Sequence, residues 1–271
     1  MTAPPADGFG ASLQLGTSIT LNVFRYNPKT DKKPRYQPLA VPLNRGMTVL
    51  EALLYAKEHY DNTIAIRYSC RMACCGSCGM KINGHPKLAC DTQISDLHSS
   101  EVTIEPMDNY PIVRDLVPDF EDFFVHHKQL NPWLIRNESS EQDNPSGTYL
   151  QTQEEVDKYL QFSNCIKCGL CYSACPTVAT DKYFPGPQSL AQAYRYVVDS
   201  RDGGANARVK LLDTHHGIWR CHFAGSCSSV CPKGVDPAMG IQLLRKFLLT
   251  GQIDRKKAGS LLFKEVSATP S

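Results

Sequence analysis

Apolar and polar side chains alternate where the patterned part of the chain begins. From Thr17, TSITLNVFRYNP sets Ile19, Leu21 and Val23 against Thr20, Asn22 and Phe24, the period of two that a half-buried strand requires. QPLAVPL supplies a hairpin partner. The period then lengthens. In MTVLEALLYAKEHY, Met47 to Tyr60, residues Val49, Leu50, Leu53, Leu54 and Ala56 share one helical face, with Asn44 as the expected cap. TIAIRYSC follows, then GMKINGHPKLAC, whose Asn83-Gly84 pair predicts a tight hairpin turn, then a closing strand VTIEPM. Strand, strand, helix, strands is the order of a β-grasp domain.

Beyond Met107 the pattern is helical. VRDLVPDFEDFFVHHKQ, Val113 to Gln129, is amphipathic through Leu116, Phe120, Phe123 and Phe124, and residues 131–151 form a polar crossover loop. TQEEVDKYLQFS predicts one capped helix, and GPQSLAQAYRYVVDSRD another that turns Leu190, Ala193, Tyr194 and Val197 inward. DPAMGIQLLRKFLL starts with an Asp cap and a proline at the first helical position. The expectation is an α+β chain of two domains, residues 1–107 and 108–271. Residues 1–16, rich in Pro, Gly, Ala and Ser, form a mobile terminus.

Composition narrows the picture. With 29 basic and 27 acidic residues, the net charge of +2 gives no reason to expect nucleic acid. The first residues lack the cationic start and apolar core of a signal or transit peptide, so none is expected. No run approaches the roughly 18 apolar residues that span a bilayer; Ile241 to Leu249 is interrupted by Gln242, Arg245 and Lys246. Work at a membrane would therefore require other chains. The 12 cysteines cluster at ligand spacing, which points to reduced thiolates in a compartment facing the cytosol.

Those cysteines carry the chemistry. In CIKCGLCYSACP, Cys165, Cys168, Cys171 and Cys175 follow the x2, x2, x3 spacing of two-cluster ferredoxins and end in Cys-Pro. CHFAGSCSSVCP repeats the motif with Cys221, Cys227 and Cys231, but Ala224 stands where a thiol is due. Each such run gives three ligands to its own cluster and its last to the other. Cys165, Cys168, Cys171 and Cys231 thus predict a [4Fe-4S] site. Cys175, Cys221 and Cys227 leave one corner unligated, which predicts [3Fe-4S].

A third set, Cys70, Cys75, Cys78 and Cys90, has the plant-type [2Fe-2S] spacing, with Gly76 and Gly79 suited to a loop closing tightly over sulfide. Cys74 is surplus and reads as a small buried apolar residue. Structural zinc is the alternative, although zinc ribbons pair one CxxC with another and do not end both runs in Cys-Pro. His126-His127 reads as surface or interhelix packing, because no third ligand is near. Arg195, Asp199, Arg201 and Asp202 read as a helix-stabilising ion-pair network and not as a catalytic set.

Three cluster sets in this order, with NPWLI, GPQSLAQAYRYVVDSRD, GIWRCHFAGSC and CPKGVDP, resemble the iron-sulfur subunit of the succinate dehydrogenase and fumarate reductase family. The likeness runs from about Thr17 to Leu249. It implies an electron-carrying chain on the cytoplasmic face of the membrane. One partner is a flavoprotein that holds covalent FAD and the dicarboxylate site; the other is a hydrophobic anchor that binds quinone. FAD and haem belong to those partners.

By the same resemblance Pro176, Trp219, His222 and Ala224 stand near the quinone. The resemblance implies succinate:quinone oxidoreductase, with quinol:fumarate reductase as the reverse. Here TVATDKYF replaces the tryptophan that commonly follows the third-cluster Cys-Pro in ubiquinone-linked members. His222 matches succinate oxidisers, and RMACCGSC is closer to fumarate reductases, so direction and quinone type stay open. A soluble iron-sulfur relay subunit of another oxidoreductase is the further alternative, but it would need neither NPWLI nor the β-grasp front end.

Overall fold

The computed structural model describes residues 18–136, 143–144 and 147–251. The terminus of residues 1–16 and part of the crossover loop lie outside them. The described chain divides into two compact units: residues 18–107 with Ile112–Pro118, and residues 108–111 with 119–251.

In the first unit, β1 (Ser18–Arg25) pairs antiparallel with β2 (Arg35–Pro42). β3 (Gly79–Ile82) and β4 (His85–Leu88) form a hairpin through Asn83 and Gly84, at φ 48° and 79°, the double left-handed turn that matches strand twist. β5 (Glu101–Glu105) runs parallel to β1 and antiparallel to β3, giving the order β2-β1-β5-β3-β4. Ile19, Leu21 and Val23 are fully buried, as their alternation predicts, and each such burial contributes roughly 1.5–3 kcal/mol. Both edge strands carry proline, Pro38 and Pro42 on β2 and Pro86 on β4, where a missing N–H discourages further strand pairing.

Helix α1 (Val49–His59) contacts β2 and buries Leu50, Leu53 and Ala56. Its cap is Thr48, not Asn44. The Thr48 hydroxyl accepts from Glu51 N at 3.2 Å, and the Glu51 carboxylate accepts from Thr48 N at 2.8 Å. Glu51 lies three residues past the cap, the spacing a capping box needs, and Asn44 contributes only its carbonyl, to Met47 N.

The expected helix from Val113 starts late. β6 (Ile112–Arg114) and β7 (Val117–Pro118) form a small hairpin, and α2 spans only Glu121–Gln129. Pro118 biases Val117 away from helix, and Asp115 holds the turn at φ 47°. The buried Asp115 carboxylate accepts from Tyr26 N (2.9 Å) and Ala65 N (3.0 Å) and pairs with Arg25 Nε at 3.2 Å. Leu116 is therefore buried in the first unit and Phe123 in the second, while Phe124 is 46% exposed. One apparent helical stripe is two packing sets.

The second unit is helical: α3 (Gln153–Asp157), α4 (Leu160–Ser163), α5 (Leu170–Ser173), α6 (Pro176–Thr180), α7 (Gly186–Val197), α8 (Ala205–Leu212), α9 (Ser226–Ser229) and α10 (Pro237–Thr250). The helix expected over TQEEVDKYLQFS is broken at Tyr159 (φ −122°, ψ −7°), after a capping box of Thr152 and Glu155. α7 is the buried centre, with Leu190, Ala193, Tyr194 and Val197 inward, and it ends at Val197, short of the expected Asp202. α10 packs against it, and Gly240 admits the Phe162 ring, because a Cβ there would lie 2.8 Å from Phe162 Cε1.

Asp236 caps α10 through Met239 N at 2.9 Å. The charge set forms ion pairs, as expected, but Asp199, Arg201 and Asp202 lie past the end of α7 and do not brace it along its length. Asp199 pairs with Arg195 (3.8 Å) and Arg201 (2.8 Å), and Asp202 pairs with the fully buried Arg208 at 2.6 Å.

Asp115→Ala would strand Arg25 Nε and two amides, so urea unfolding should show a loss of roughly 2–4 kcal/mol. Asp115→Asn, which keeps one acceptor oxygen, should lose clearly less.

Candidate metal centres

The first thiol group surrounds an exposed loop wound tightly enough to aim its amides at sulfur. Cys70 Sγ accepts from the backbone N–H of Met72 (3.4 Å), Cys74 (3.3 Å) and Cys75 (3.2 Å). Cys90 Sγ accepts from Ala73 N at 3.3 Å, Cys75 Sγ from Ser77 N at 3.4 Å, and Cys78 Sγ from Cys90 N at 3.4 Å. Gly76 supplies one left-handed residue, but Arg71 and Ala73 also adopt φ of 58° and 56°. That strain costs about 1–3 kcal/mol each and is offset by the amide-sulfur contacts it creates.

The Ser77 hydroxyl, followed by backbone amides, lowers the Cys75 thiol to about 6, whereas burial pushes Cys78 up to about 12. Cys74 is exposed, contrary to the buried reading. Its amide serves Cys70 while its side chain faces solvent.

The second unit repeats one backbone shape twice. Lys167 (φ 55°) and Gly169 (φ 80°) precede α5, and Phe223 (φ 57°) and Gly225 (φ 77°) precede α9. Ala224 thereby occupies the counterpart of Cys168. The sulfurs sort by their mutual charge. Burial is the largest influence on each, and it raises Cys165, Cys168 (to about 11) and Cys171. Cys231 adds to the rise of all three, and Cys227 also acts on Cys171. Burial likewise raises Cys175 and Cys227, the latter to about 11; Cys221 adds to both, and Cys175 to Cys227. The last cysteine of each run thus acts on sulfurs of the other.

Cys175, Cys221 and Cys227 line an open pocket together with Ala224, Thr177 and Ala238. Pro176 and His222 also line it; Trp219 does not, and sits on the turn before Cys221 with its Nε1 donating to Asp213 at 2.7 Å. His126 and His127 are half-buried, and His127 Nδ1 lies 3.3 Å from Gln188 Nε2 on α7, an interhelix contact. Among the described residues no three His, Cys, Asp or Glu side chains are placed to hold a single metal ion. A cluster asks something different of its ligands, because its several irons each take their own thiolates.

A model of 2Fe-2S iron-sulfur cluster binding domains matches residues 20–125, and one of 4Fe-4S dicluster domains matches residues 161–235. The fumarate reductase iron-sulfur subunit of Mycobacterium tuberculosis is 48% identical over 83% of this chain and 90% of its own length. The chain belongs to the succinate dehydrogenase and fumarate reductase iron-sulfur subunit family. The subunit of the same name from Haemophilus influenzae is 43% identical over 82% of this chain and 90% of its own. A chain of the Mycobacterium smegmatis Sdh1 complex in the apo form superposes with TM-score 0.73 at 25% identity, covering 88% of this chain and 98% of that one. As an iron-sulfur subunit of this family, the chain is an electron-transfer component of an oxidoreductase complex.

Arg208 was not singled out in the sequence, yet its guanidinium donates to the carbonyls of Asn131 (3.0 Å) and Trp133 (2.6 Å) and so fixes the NPWLI segment. A lone arginine on an amphipathic helix gives no local sign of such a partner.

The repeated backbone yields a paired prediction. Gly225→Ala meets open space and should lose only the left-handed penalty of about 1–2 kcal/mol. Gly169→Ala, whose Cβ would lie 2.5 Å from Tyr110 Oη and 2.6 Å from Phe120 Cε1, should lower the unfolding midpoint of the cluster-loaded protein distinctly further.

Proposed function

We propose that this chain carries electrons one at a time between a flavoprotein that converts a dicarboxylate and a quinone held by membrane-anchor subunits, in a succinate:quinone oxidoreductase. Cys70, Cys75, Cys78 and Cys90 hold a [2Fe-2S] cluster; Cys165, Cys168, Cys171 and Cys231 a [4Fe-4S] cluster; Cys175, Cys221 and Cys227 a [3Fe-4S] cluster. Such clusters, once bound, supply reversible one-electron chemistry. The observation that supports this reading is that Cys231 acts on the charge of Cys168 in the first run and Cys175 on that of Cys227 in the second, with Ala224 in the place of a fourth thiol.

The residues present suit those groups. Amides aimed at sulfur stabilise the more reduced state at the first centre. Three thiolates in place of four leave less negative charge at the third, which favours its reduction and suits the quinone end. Pro176, His222 and Ala224 lie exposed at that end, with Trp219 nearby in sequence. Among the described residues no helix is long and apolar enough to cross a membrane, which is in keeping with a peripheral subunit on the cytoplasmic face, held there by anchors. FAD and haem belong to the partner subunits.

The reverse direction, quinol to fumarate, is the second reading. It is favoured by relatives at 43–48% identity that bear the fumarate reductase name. Assaying the purified assembly both ways with ubiquinone and menaquinone analogues separates the two. A soluble partner without flavin would count against both.

Ala224→Cys should convert the third centre toward [4Fe-4S], lower its potential and slow reaction with quinone, as read by electron paramagnetic resonance (EPR) and iron and sulfide analysis. An unchanged cluster type would refute the ligand assignment. Cys75→Ser should abolish or alter the [2Fe-2S] signal, and Cys74→Ser should leave it intact.

A further inference from the structure

The Cys-Pro step that closes the first cysteine run also breaks its helix. α5 ends at Ser173; had it continued, the amide of residue 176 would serve the Tyr172 carbonyl and that of residue 177 the Ser173 carbonyl. Pro176 has no N–H, and Cys175 turns the chain to extended backbone at φ −84°, ψ 116°. A helix end leaves such carbonyls without partners, and where they are buried they need a donor. Tyr172, Ser173 and Cys175 are all buried residues.

The donor comes from outside the run. Asn109 Nδ2 reaches the carbonyls of Ser173 (2.9 Å), Tyr172 (3.0 Å) and Cys175 (3.3 Å). Two N–H groups thus serve three acceptors, and to deliver them Asn109 holds a left-handed backbone, φ 68°. The next residue works at the other end of the same helix, where Tyr110 Oη donates to the Gly169 carbonyl at 3.0 Å. Both belong to the second unit, in its short segment 108–111. In the second run the place of Ser173 is taken by Ser229, which is exposed, so water can serve its carbonyl.

What Asn109 holds is a bridge between two centres. Cys171 and Cys175 are assigned to different clusters, and only Tyr172, Ser173 and Ala174 separate them along the chain. Without the amide, carbonyl oxygens would present uncompensated negative ends beside Cys175. An arriving electron adds negative charge to a cluster, so such ends disfavour reduction, and a poorly solvated interior strengthens the effect.

We propose that Asn109 is the positioning residue that fixes this bridge, and that its amide thereby raises the reduction potential of the centre Cys175 serves. The proposal rests on the assignment of Cys175 to the [3Fe-4S] centre.

The experiment is an EPR-monitored redox titration of the full-length chain in its complex at neutral pH. Glycine accepts the left-handed backbone without strain, so Asn109→Gly removes the amide alone. It should lower the [3Fe-4S] midpoint so that the reduced-to-oxidised ratio at a fixed potential falls about threefold, equal to about 28 mV for one electron. The [4Fe-4S] midpoint should fall less and the [2Fe-2S] midpoint stay in place. Asn109→Asp, isosteric and tolerant of the same backbone, exchanges donors for acceptors and should lower the first two further.

A general loss of stability would reduce the amount of cluster and not the midpoint of the clusters that remain. Unmoved [3Fe-4S] and [4Fe-4S] midpoints in either variant that retains its clusters, or an equal fall at the [2Fe-2S] centre, would overturn the proposal and leave the ligand assignment standing. A larger fall at the [4Fe-4S] than at the [3Fe-4S] centre would overturn the assignment of Cys175.

Discussion

Like charges brought together in an apolar interior set the terms for the whole second unit. Cys231 acts on the ionisation of Cys165, Cys168 and Cys171, and Cys221 on that of Cys175 and Cys227, and burial is what first raises the thiols of Cys165, Cys168, Cys171, Cys175 and Cys227. Left to themselves, such groups would be protonated at neutral pH. Only a cationic metal core makes their thiolates stable, so metal binding and folding are linked in this unit. The surrounding helices can be short for the same reason: α4, α5 and α9 are each 4 residues long, too short to persist without an external hold.

The first unit solves a different problem. Its core draws on the β1 alternation and the apolar face of α1, with Cys78 and Cys90 its buried thiols, so its exposed thiol loop rides on a packed sheet. Exposure leaves that loop little burial to draw on, and it depends on backbone amides. Those amides must point inward, which requires Arg71 and Ala73 to enter a region of backbone space that residues with a Cβ avoid. Lys167 and Phe223 do the same in the second unit, each one residue from a position that a ligand occupies or could occupy. In both units, backbone strain is found where sulfur is approached.

Much of this was legible in the sequence, and what was legible was local. Strand alternation, the Asn83-Gly84 turn, the Asp236 cap and the cysteine spacings are each decided within about a dozen residues. The misses share the opposite property. The fate of Val113 to Pro118 turns on Asp115, whose partners Arg25, Tyr26 and Ala65 lie far back in the chain. Arg208 was invisible because it binds carbonyls, which every residue has. Cys74 was misread because its adjacency to a ligand fixes its amide and says nothing about its side chain. Thr48 is the exception: its capping box with Glu51, three residues on, is written in the sequence.

The two cysteine runs also separate what a fold decides from what a side chain decides. They share left-handed residues in matching places, matching short helices and a closing Cys-Pro, so the backbone presents four positions each time. At three of them the second run offers sulfur; at the fourth, Ala224 offers a methyl group beside an open cavity. Nothing in the chain path distinguishes the two sites at that point. Cluster type, charge and potential are therefore set after the fold is settled, by which atoms the shared scaffold presents and by the few side chains that reach them. A scaffold of this kind can order several carriers along one chain while leaving the potential of each to be set separately.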